Sequence, residues 1–318
     1  MEQTIKHKLK MPTIKVAKHA GFCFGVKKAI EIAEDVAQSN KGKTYVYGQL
    51  VHNEKVIKDL EGRGIIFAES MDEIPQNAVT VLRAHGEPGT TYELLKEKSI
   101  VKGKNLNDAT CPLVTLVHNV AIKLKNNGYD VILFGKANHP EAIGTSYHLR
   151  GKDTFIVEEP EQYKSAIGYI QENNFGKVAI ISQTTMSVYG YKKLIDNINL
   201  ELKGAKFEEI HLSLKDMDKK HVYVDTICNP TKQRQFDTEE LAKDSDIIIV
   251  IGGKNSSNSK ELYAKCKEFG VESYFIQSKE QLEEEWFAGK EKIGVTAGAS
   301  TPDYLIKDVV EKIKQITI

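Results

Sequence analysis

YDVILFGKANHPEAIG, residues 129–144, is an apolar run that ends at a glycine and passes through a short polar loop into a helix-forming stretch. Three further runs have the same character: KVAIISQ (177–183), SDIIIVIGG (245–253) and EKIGVTAG (291–298). Short apolar runs of this kind, alternating with longer amphipathic stretches, are typical of buried parallel strands joined by crossover helices. The sequence therefore predicts an α/β fold with mainly parallel sheets.

Three of the four cysteines mark an internal repeat. Cys23, Cys111 and Cys228 are each followed by a helical stretch and by a strand that ends at a glycine 25, 24 and 24 residues later. A polar residue lies four positions beyond each glycine, and another follows the last strand of each copy. In copy order, the first set is His52, His139 and Ser256, and the second set is His85, Thr184 and Ser300. Matched spacing in all three copies favours repetition over chance.

We predict three similar α/β units, residues 12–109, 110–218 and 219–318, arranged pseudo-threefold around a common centre. Each unit has roughly a hundred residues, which is a usual domain size. In open parallel sheets, ligands bind beyond the carboxyl ends of the strands, where the polar residues of the repeat lie. We therefore expect the cysteines and the polar loops of the three units to share one site.

The composition limits the classes of function. The 318 residues include 44 Lys+Arg and 44 Asp+Glu, so no net charge favours a nucleic-acid or membrane partner. No apolar run reaches the roughly 20 residues that span a bilayer, and the basic start MEQTIKHKLKMP is followed by no apolar signal region. We expect a cytoplasmic enzyme whose cysteines stay reduced. An anionic ligand then requires a local binding site.

The three repeat cysteines each lie in a loop before a helix, in HAGFCFGVKKAI, NDATCPLVTLV and DTICNPTKQRQ. The free N–H groups and the dipole of a helix N-terminus favour thiolate ligands. Zinc sites usually contain close cysteine pairs, which this sequence does not have. An iron–sulfur cluster held by three thiolates, with one open iron, is therefore favoured over zinc or over four structural thiols. We interpret Cys266, inside the helical stretch ELYAKCKEFG, as a packing residue.

The polar loops predict an anion site and a proton donor. The candidate hydrogen-bond donors are His52, His85, His139, Ser256, Ser257, Asn258 and Ser300. Several lie at predicted helix N-termini, which bind phosphate readily, whereas neither GxGxxG nor the P-loop pattern occurs. Glu141 is either a partner of a helix dipole or a proton donor whose pKa a nearby buried anionic ligand would raise; its position at a strand end favours the donor. Thr184 is a candidate relay for that proton.

Motifs along nearly the whole chain, from Ile14 to Ile313, resemble the 4-hydroxy-3-methylbut-2-enyl diphosphate reductase family of the methylerythritol phosphate route to isoprenoids. In chain order they are GFCFGV at Cys23, VHN at His52, AHG at His85, DATCPLV at Cys111, NHPE at His139 and Glu141, QTT at Thr184, KNSSNS at Ser256 to Asn258, and VTAGASTPD at Ser300. Three stretches depart from the family pattern. They are the residues before Met11, whose removal we expect to be harmless, the segment after Gly86 in AHGEPGT, and NPTKQRQ after Cys228, which retains Thr231, Arg234 and Gln235 while their neighbours vary.

The resemblance implies a 4Fe-4S cluster held by Cys23, Cys111 and Cys228, with one iron open to the substrate hydroxyl. It implies a diphosphate site made from the polar loops: His52, His85, His139, Thr184, Ser256, Ser257, Asn258 and Ser300. Glu141, with Thr184, would protonate the departing hydroxyl, and a ferredoxin or flavodoxin would supply two single electrons. Isopentenyl and dimethylallyl diphosphate would be the products. An iron–sulfur dehydratase without net electron transfer and a non-catalytic redox sensor are the alternatives.

Overall fold

The computed structural model describes residues 11–211 and 218–317 of the chain. The residues before Met11, which we expect to be dispensable, lie outside these ranges. The described residues form two compact units. The central unit contains residues 23–232, and the terminal unit contains the residues up to 22 together with those from 233 onward.

Thirteen β-strands lie within the described ranges. They are β1 (Thr13–Val16), β2 (Thr44–Tyr47), β3 (Ile65–Ala68), β4 (Val79–Leu82), β5 (Leu106–Asp108), β6 (Asp130–Phe134), β7 (Ile156–Val157), β8 (Val178–Ser182), β9 (Glu208–Glu209), β10 (His221–Tyr223), β11 (Ile247–Ile251), β12 (Glu272–Ile276) and β13 (Lys292–Ala297). The four apolar runs that predicted the fold are β6, β8, β11 and β13.

Ten α-helices lie in the same part of the chain. They are α1 (Phe24–Ser39), α2 (Glu54–Glu61), α3 (Gly89–Glu97), α4 (Pro112–Asn126), α5 (Pro140–Tyr147), α6 (Tyr163–Asn173), α7 (Val188–Glu201), α8 (Asn229–Ala242), α9 (Ser257–Glu268) and α10 (Asp303–Ile316). None of the helices in the described residues is long and apolar enough to cross a bilayer.

The strands form three sheets, two in the central unit and one in the terminal unit. The central sheets have the orders β3-β2-β4-β5 and β7-β6-β8-β10-β9, and the terminal sheet has the order β1-β13-β11-β12. Every ladder between neighbouring strands of these sheets is parallel. The predicted α/β fold with mainly parallel sheets is confirmed.

Strand β6 shows why the apolar runs lack polar alternation. All five of its residues are buried. Val131 and Leu133 pack into the apolar cluster on one face of the sheet, whereas Ile132 and Phe134 pack into the cluster on the other. Because helices cover both faces of a parallel sheet, side chains of either orientation must be apolar.

Two short strands, β1 and β10, belong to sheets that could not be predicted from the segments next to them in sequence. Strand β1 pairs with β13, so Thr13 aligns with Lys292 across the terminal sheet. Strand β10 pairs with β8 in the central unit. The unit boundaries near residues 109 and 219, and the pseudo-threefold arrangement, stay predictions.

The carboxyl ends of β2, β4, β6 and β8 position the candidate site of the central unit. The loops after these strands carry His52, His85, His139 and Thr184 respectively. Parallel strands place their carboxyl ends at the same edge of a sheet, so functional side chains from separate segments are brought together there.

Candidate active site

The three repeat cysteines lie at helix N-termini of the central unit. Cys23 is the N-cap of α1, and its sulfur accepts a hydrogen bond from Val26 N at 3.5 Å. Cys111 is the N-cap of α4. Cys228 directly precedes α8, and its sulfur lies 3.2 Å from Thr231 Oγ1. The sequence therefore places each thiol beside free helical N–H groups, as expected.

Close backbone approach brings two of these helix starts together. A Cβ atom on Gly25 would lie 2.4 Å from Cys111 Sγ, so α1 and α4 can meet here because residue 25 has no side chain. Cys111 N donates to Ala84 O at 2.9 Å, which ties this thiol to the loop after β4. Cys228 N donates to Thr184 O at 3.1 Å. Two of the three thiols are thus anchored to loops that carry predicted site residues.

The thiols are half-buried and electrostatically coupled. Burial raises the pKa of Cys228 to about 11, and it also raises the pKa of Cys111. In both cases the negative charges of Cys23 and Glu141 add to the effect. A positively charged partner would therefore be needed to favour the thiolates of Cys111 and Cys228 at neutral pH.

Cys266 occupies a different environment, in the core of the terminal unit. It is fully buried inside α9 and packs with Leu262 and Val250. Burial raises the pKa of its thiol to about 12. These surroundings are those of a small apolar packing residue.

Three imidazoles converge in the central unit. The rings of His52 and His85 stack with centroids 4.1 Å apart, and His139 meets them edge-on at 5.2 and 5.4 Å. One ring nitrogen of each residue lies within 4.8 Å of those of the other two. Loops that are far apart in sequence thus present three polar groups to one small volume.

Local hydrogen bonds orient these rings. His139 is the N-cap of α5, and its Nδ1 accepts from Glu141 N at 3.1 Å, so the neutral ring carries its proton on Nε2 and can donate it to a ligand. His52 Nδ1 lies 3.2 Å from Gln49 Oε1.

The electrostatic surroundings of His85 favour its neutral form. Burial, with the positive charges of nearby His52, His139 and Arg83, holds the pKa of His85 well below its usual value. A bound anion would oppose that shift, because a negative charge favours the protonated imidazole.

Glu141 is a buried carboxyl group with two polar contacts to Thr184. Thr184 N donates to Oε1 at 2.6 Å, and Thr184 Oγ1 donates to Oε2 at 2.7 Å. The side chain is 1% exposed, and burial raises its pKa to about 7 although both hydrogen bonds lower it. This carboxyl group can therefore hold and release a proton near neutral pH.

Two charged residues that flank His85 were not predicted from the sequence to be part of the site. Arg83 and Glu87 form an ion pair across this residue. Gly86 has φ +78°, and a Cβ atom there would lie 2.8 Å from His118 Cε1. The sequence shows opposite charges two positions before and two positions after His85, but only the structure shows that both side chains are largely buried.

The remaining predicted residues belong to the terminal unit. Ser256 is the N-cap of α9 and its Oγ accepts from Ser259 N at 3.3 Å. Asn258 is buried, and neither polar atom of its amide has a hydrogen-bond partner among the described residues. Ser257 is half-buried and Ser300 is buried.

Close packing around Ser259 brings two loops of the terminal unit together. A Cβ atom on Gly252 or Gly298 would lie 2.2 or 1.9 Å from Ser259 Oγ. The loops after β11 and β13 therefore lie against the first turn of α9, where the serines and the asparagine are found.

Comparison with known proteins agrees with this set of motifs. The family model of the LytB protein matches residues 14–314. The chain belongs to the LytB family. The resemblance noted from the motifs is confirmed, and so is the prediction of an oxidoreductase.

Relatives of this LytB family member are similar over nearly their full length. Two carry the name 4-hydroxy-3-methylbut-2-enyl diphosphate reductase. The one from Aquifex aeolicus is 37% identical over 309 residues, covering 96% of this chain and 97% of the relative. The one from Nitratiruptor sp. is 39% identical over 307 residues, covering 96% and 99%.

Solved structures give the same relationship. The E-1-hydroxy-2-methyl-but-2-enyl-4-diphosphate reductase of Plasmodium falciparum has a TM-score of 0.80 at 28% identity, covering 95% of this chain and 87% of that one. A structure of (E)-4-hydroxy-3-methyl-but-2-enyl diphosphate reductase, described as the terminal enzyme of the non-mevalonate pathway, has a TM-score of 0.62 at 36% identity. It covers 96% of this chain and 100% of that one.

Proposed function

We propose that the protein converts 4-hydroxy-3-methylbut-2-enyl diphosphate to isopentenyl and dimethylallyl diphosphate. The reaction consumes two electrons and two protons, breaks the carbon–oxygen bond of the terminal hydroxyl and releases that oxygen as water. The observation that carries the proposal is the buried Glu141–Thr184 pair in the same unit as three thiols at helix N-termini and three converging imidazoles. Reductive removal of a hydroxyl needs an acid of this kind.

The thiol set fits a 4Fe-4S cluster held by Cys23, Cys111 and Cys228. Each of the three sulfurs lies at the start of a helix, where free backbone N–H groups can hydrogen-bond a thiolate or a cluster sulfur. Since Cys266 lies in the core of the terminal unit, three thiolates remain for the cluster.

When bound, such a cluster supplies single electrons and, at an iron without a thiolate, Lewis acidity. The rest of the chemistry falls to side chains of the chain itself. We assign the binding of the substrate diphosphate to His52, His85 and His139, which each direct a ring nitrogen to the same small volume. Nδ1 of His139 accepts from Glu141 N in helix α5, so its Nε2–H is directed away from that helix and can donate to the diphosphate. The corresponding roles of Ser256, Ser257, Asn258 and Ser300 in the terminal unit stay predictions.

Glu141 and Thr184 provide the proton that the leaving hydroxyl requires. When Glu141 is ionised, Thr184 Oγ1 donates to it at 2.7 Å. When Glu141 is protonated, the direction of this hydrogen bond can reverse, which frees the threonine proton for the substrate oxygen. Because the pKa of Glu141 lies at about 7, both states are accessible at neutral pH.

Cluster content is the first test. We expect anaerobically purified protein to contain iron and sulfide in equal amounts and to give the electron spin resonance signal of a reduced 4Fe-4S cluster. Cys23→Ser should lose that signal. Cys266→Ser is the matched control, and it should retain the cluster because this thiol only packs against the terminal sheet. Stoichiometric zinc in place of iron would contradict the assignment.

Product analysis separates the alternatives. The proposed reductase forms both products only when a ferredoxin, a flavodoxin or a chemical reductant supplies electrons. A dehydratase would turn over without any reductant. A redox sensor would show no change in its spin resonance spectrum when the substrate diphosphate is added.

A further inference from the structure

Arg83 and Glu87 close a short bridge over the loop that carries His85. Arg83 Nε pairs with Glu87 Oε1, and the two residues lie on either side of the histidine in sequence. Their side chains are 19% and 1% exposed, so water screens the pair poorly. We call these two residues the clasp.

One end of the clasp is fixed to helix α3. Thr91, in the first turn of that helix, donates its Oγ1 proton to Glu87 Oε2 at 3.1 Å. Each carboxylate oxygen of Glu87 therefore has a different partner. The bridge joins the loop after β4 to the helix that follows it.

The other end of the clasp reaches the end of strand β2. The Arg83 guanidinium lies 5.8 Å from the centroid of the Tyr47 ring. A Cβ atom on Gly48 would lie 2.8 Å from Arg83 Nη1, and Gly48 has φ +67°, so the arginine covers a turn that favours glycine.

A backbone hydrogen bond beside Arg83 also ties its loop to the loop of His52. Ala84 N, next to Arg83 in the chain, donates to Leu50 O at 3.1 Å. The loops of His52 and His85 are thus held against each other through Arg83 and its neighbour.

We propose that the clasp is a positioning device that keeps His52 and His85 stacked at 4.1 Å and thereby sets the affinity of this site for a diphosphate. The inference rests on the proposed function, because it takes the imidazoles as the diphosphate ligands. Glu87 offsets the charge of Arg83, so the clasp acts on the geometry of the rings and adds little net attraction for the anion. Buried ion pairs commonly stabilise little, whereas breaking one partner is costly.

A double-mutant cycle separates positioning from stability. Arg83→Met, Glu87→Gln and the double variant Arg83→Met/Glu87→Gln are compared as anaerobic holoenzymes. Each single change leaves one buried polar group without its partner and should lower Tm by about 5 °C or more. The double variant removes both charges, and the amide oxygen introduced at position 87 can still accept from Thr91. Most of the lost Tm should therefore return.

Binding of inorganic diphosphate, measured by titration calorimetry, gives the decisive comparison. We expect the Kd to rise about tenfold in all three variants, including the double variant that recovers its Tm. KM for the substrate should rise in parallel while kcat changes less than about threefold, because the acid at Glu141 is untouched. If the double variant binds diphosphate within about twofold of the parent, the clasp serves stability alone and the proposal is wrong.

Arg150→Met is the matched control, since Arg150 also pairs with a buried carboxylate of the central unit, Asp130, at 2.6 Å. It should lower Tm without changing the Kd for diphosphate. Failure of the proposed function is distinguishable, because it appears in the parent protein itself, which would then form no isopentenyl or dimethylallyl diphosphate when a reductant is supplied. A parent that binds diphosphate, with clasp variants that bind it equally well, overturns only the clasp.

Discussion

Glu87 and Glu141 are two buried glutamates of the central unit with different partners. Each accepts a hydrogen bond from a threonine, Thr91 and Thr184 respectively, and burial raises the pKa of both. Glu87 also pairs with Arg83, which opposes that rise and favours the charged form. Within the described residues, no cation forms a salt bridge with Glu141, and its pKa reaches about 7.

The contrast between the two glutamates shows that burial alone does not make a proton donor. Arg83 beside Glu87 opposes the rise in pKa that burial causes, which favours the charged carboxylate. Thr184, the partner of Glu141, is neutral, so the carboxyl group can still exchange its proton. The negative charge of Glu141 also raises the pKa values of Cys111 and Cys228. We therefore propose a positioning role for Glu87 and acid chemistry for Glu141.

Of the two glutamates, Glu141 should have the larger effect on turnover when it is replaced. We expect Glu141→Gln to keep the cluster and diphosphate binding but to reduce kcat by about a hundredfold or more, because the amide has no acidic proton to donate. Glu87→Gln is the matched control and should change kcat by less than about threefold. Equal losses of kcat in both variants, with cluster content unchanged, would remove the distinction between these glutamates.

Removing the threonine hydroxyl should have an intermediate effect. Thr184→Val keeps the size of the side chain and the backbone N–H bond to Oε1, but it deletes the Oγ1 contact to Oε2. We expect kcat to fall about tenfold, the order of one lost hydrogen bond to a charged group. Thr91→Val makes the corresponding change beside Glu87, and its kcat should stay near that of the parent. A Thr184→Val enzyme with parental kcat would exclude the relay.

The pH dependence should give the smallest effect. The folded pKa of Glu141 is raised from 4.5 to about 7, so the native state binds the additional proton between these values. Activity from the protonated acid should be full well below pH 7 and fall as pH rises through that value. The stability that the proton confers follows the same direction and is lost as pH rises through the folded pKa. Glu141→Gln should flatten both profiles, and an unchanged slope would assign them to another group.

Much of this arrangement can be predicted from the sequence. The apolar runs at β6, β8, β11 and β13 carry the parallel sheets, and matched spacing located the loops of His52, His85 and His139. The pairing of β1 with the terminal sheet cannot be predicted from the sequence, because its four residues are mostly exposed and show little apolar pattern. The burial of the clasp is not visible either, since Arg83 and Glu87 have the sequence appearance of solvated charges and only tertiary packing covers them.

The protonation state of Glu141 is the most direct test of its role as the acid. Infrared difference spectra of the anaerobic holoenzyme, parent minus Glu141→Gln, isolate the carbonyl stretching band of this carboxyl group as pH is raised. We predict that the band of the protonated acid disappears with a midpoint near pH 7. A midpoint near the ordinary value of 4.5, or the same band in the spectrum of Glu141→Gln itself, would contradict that role.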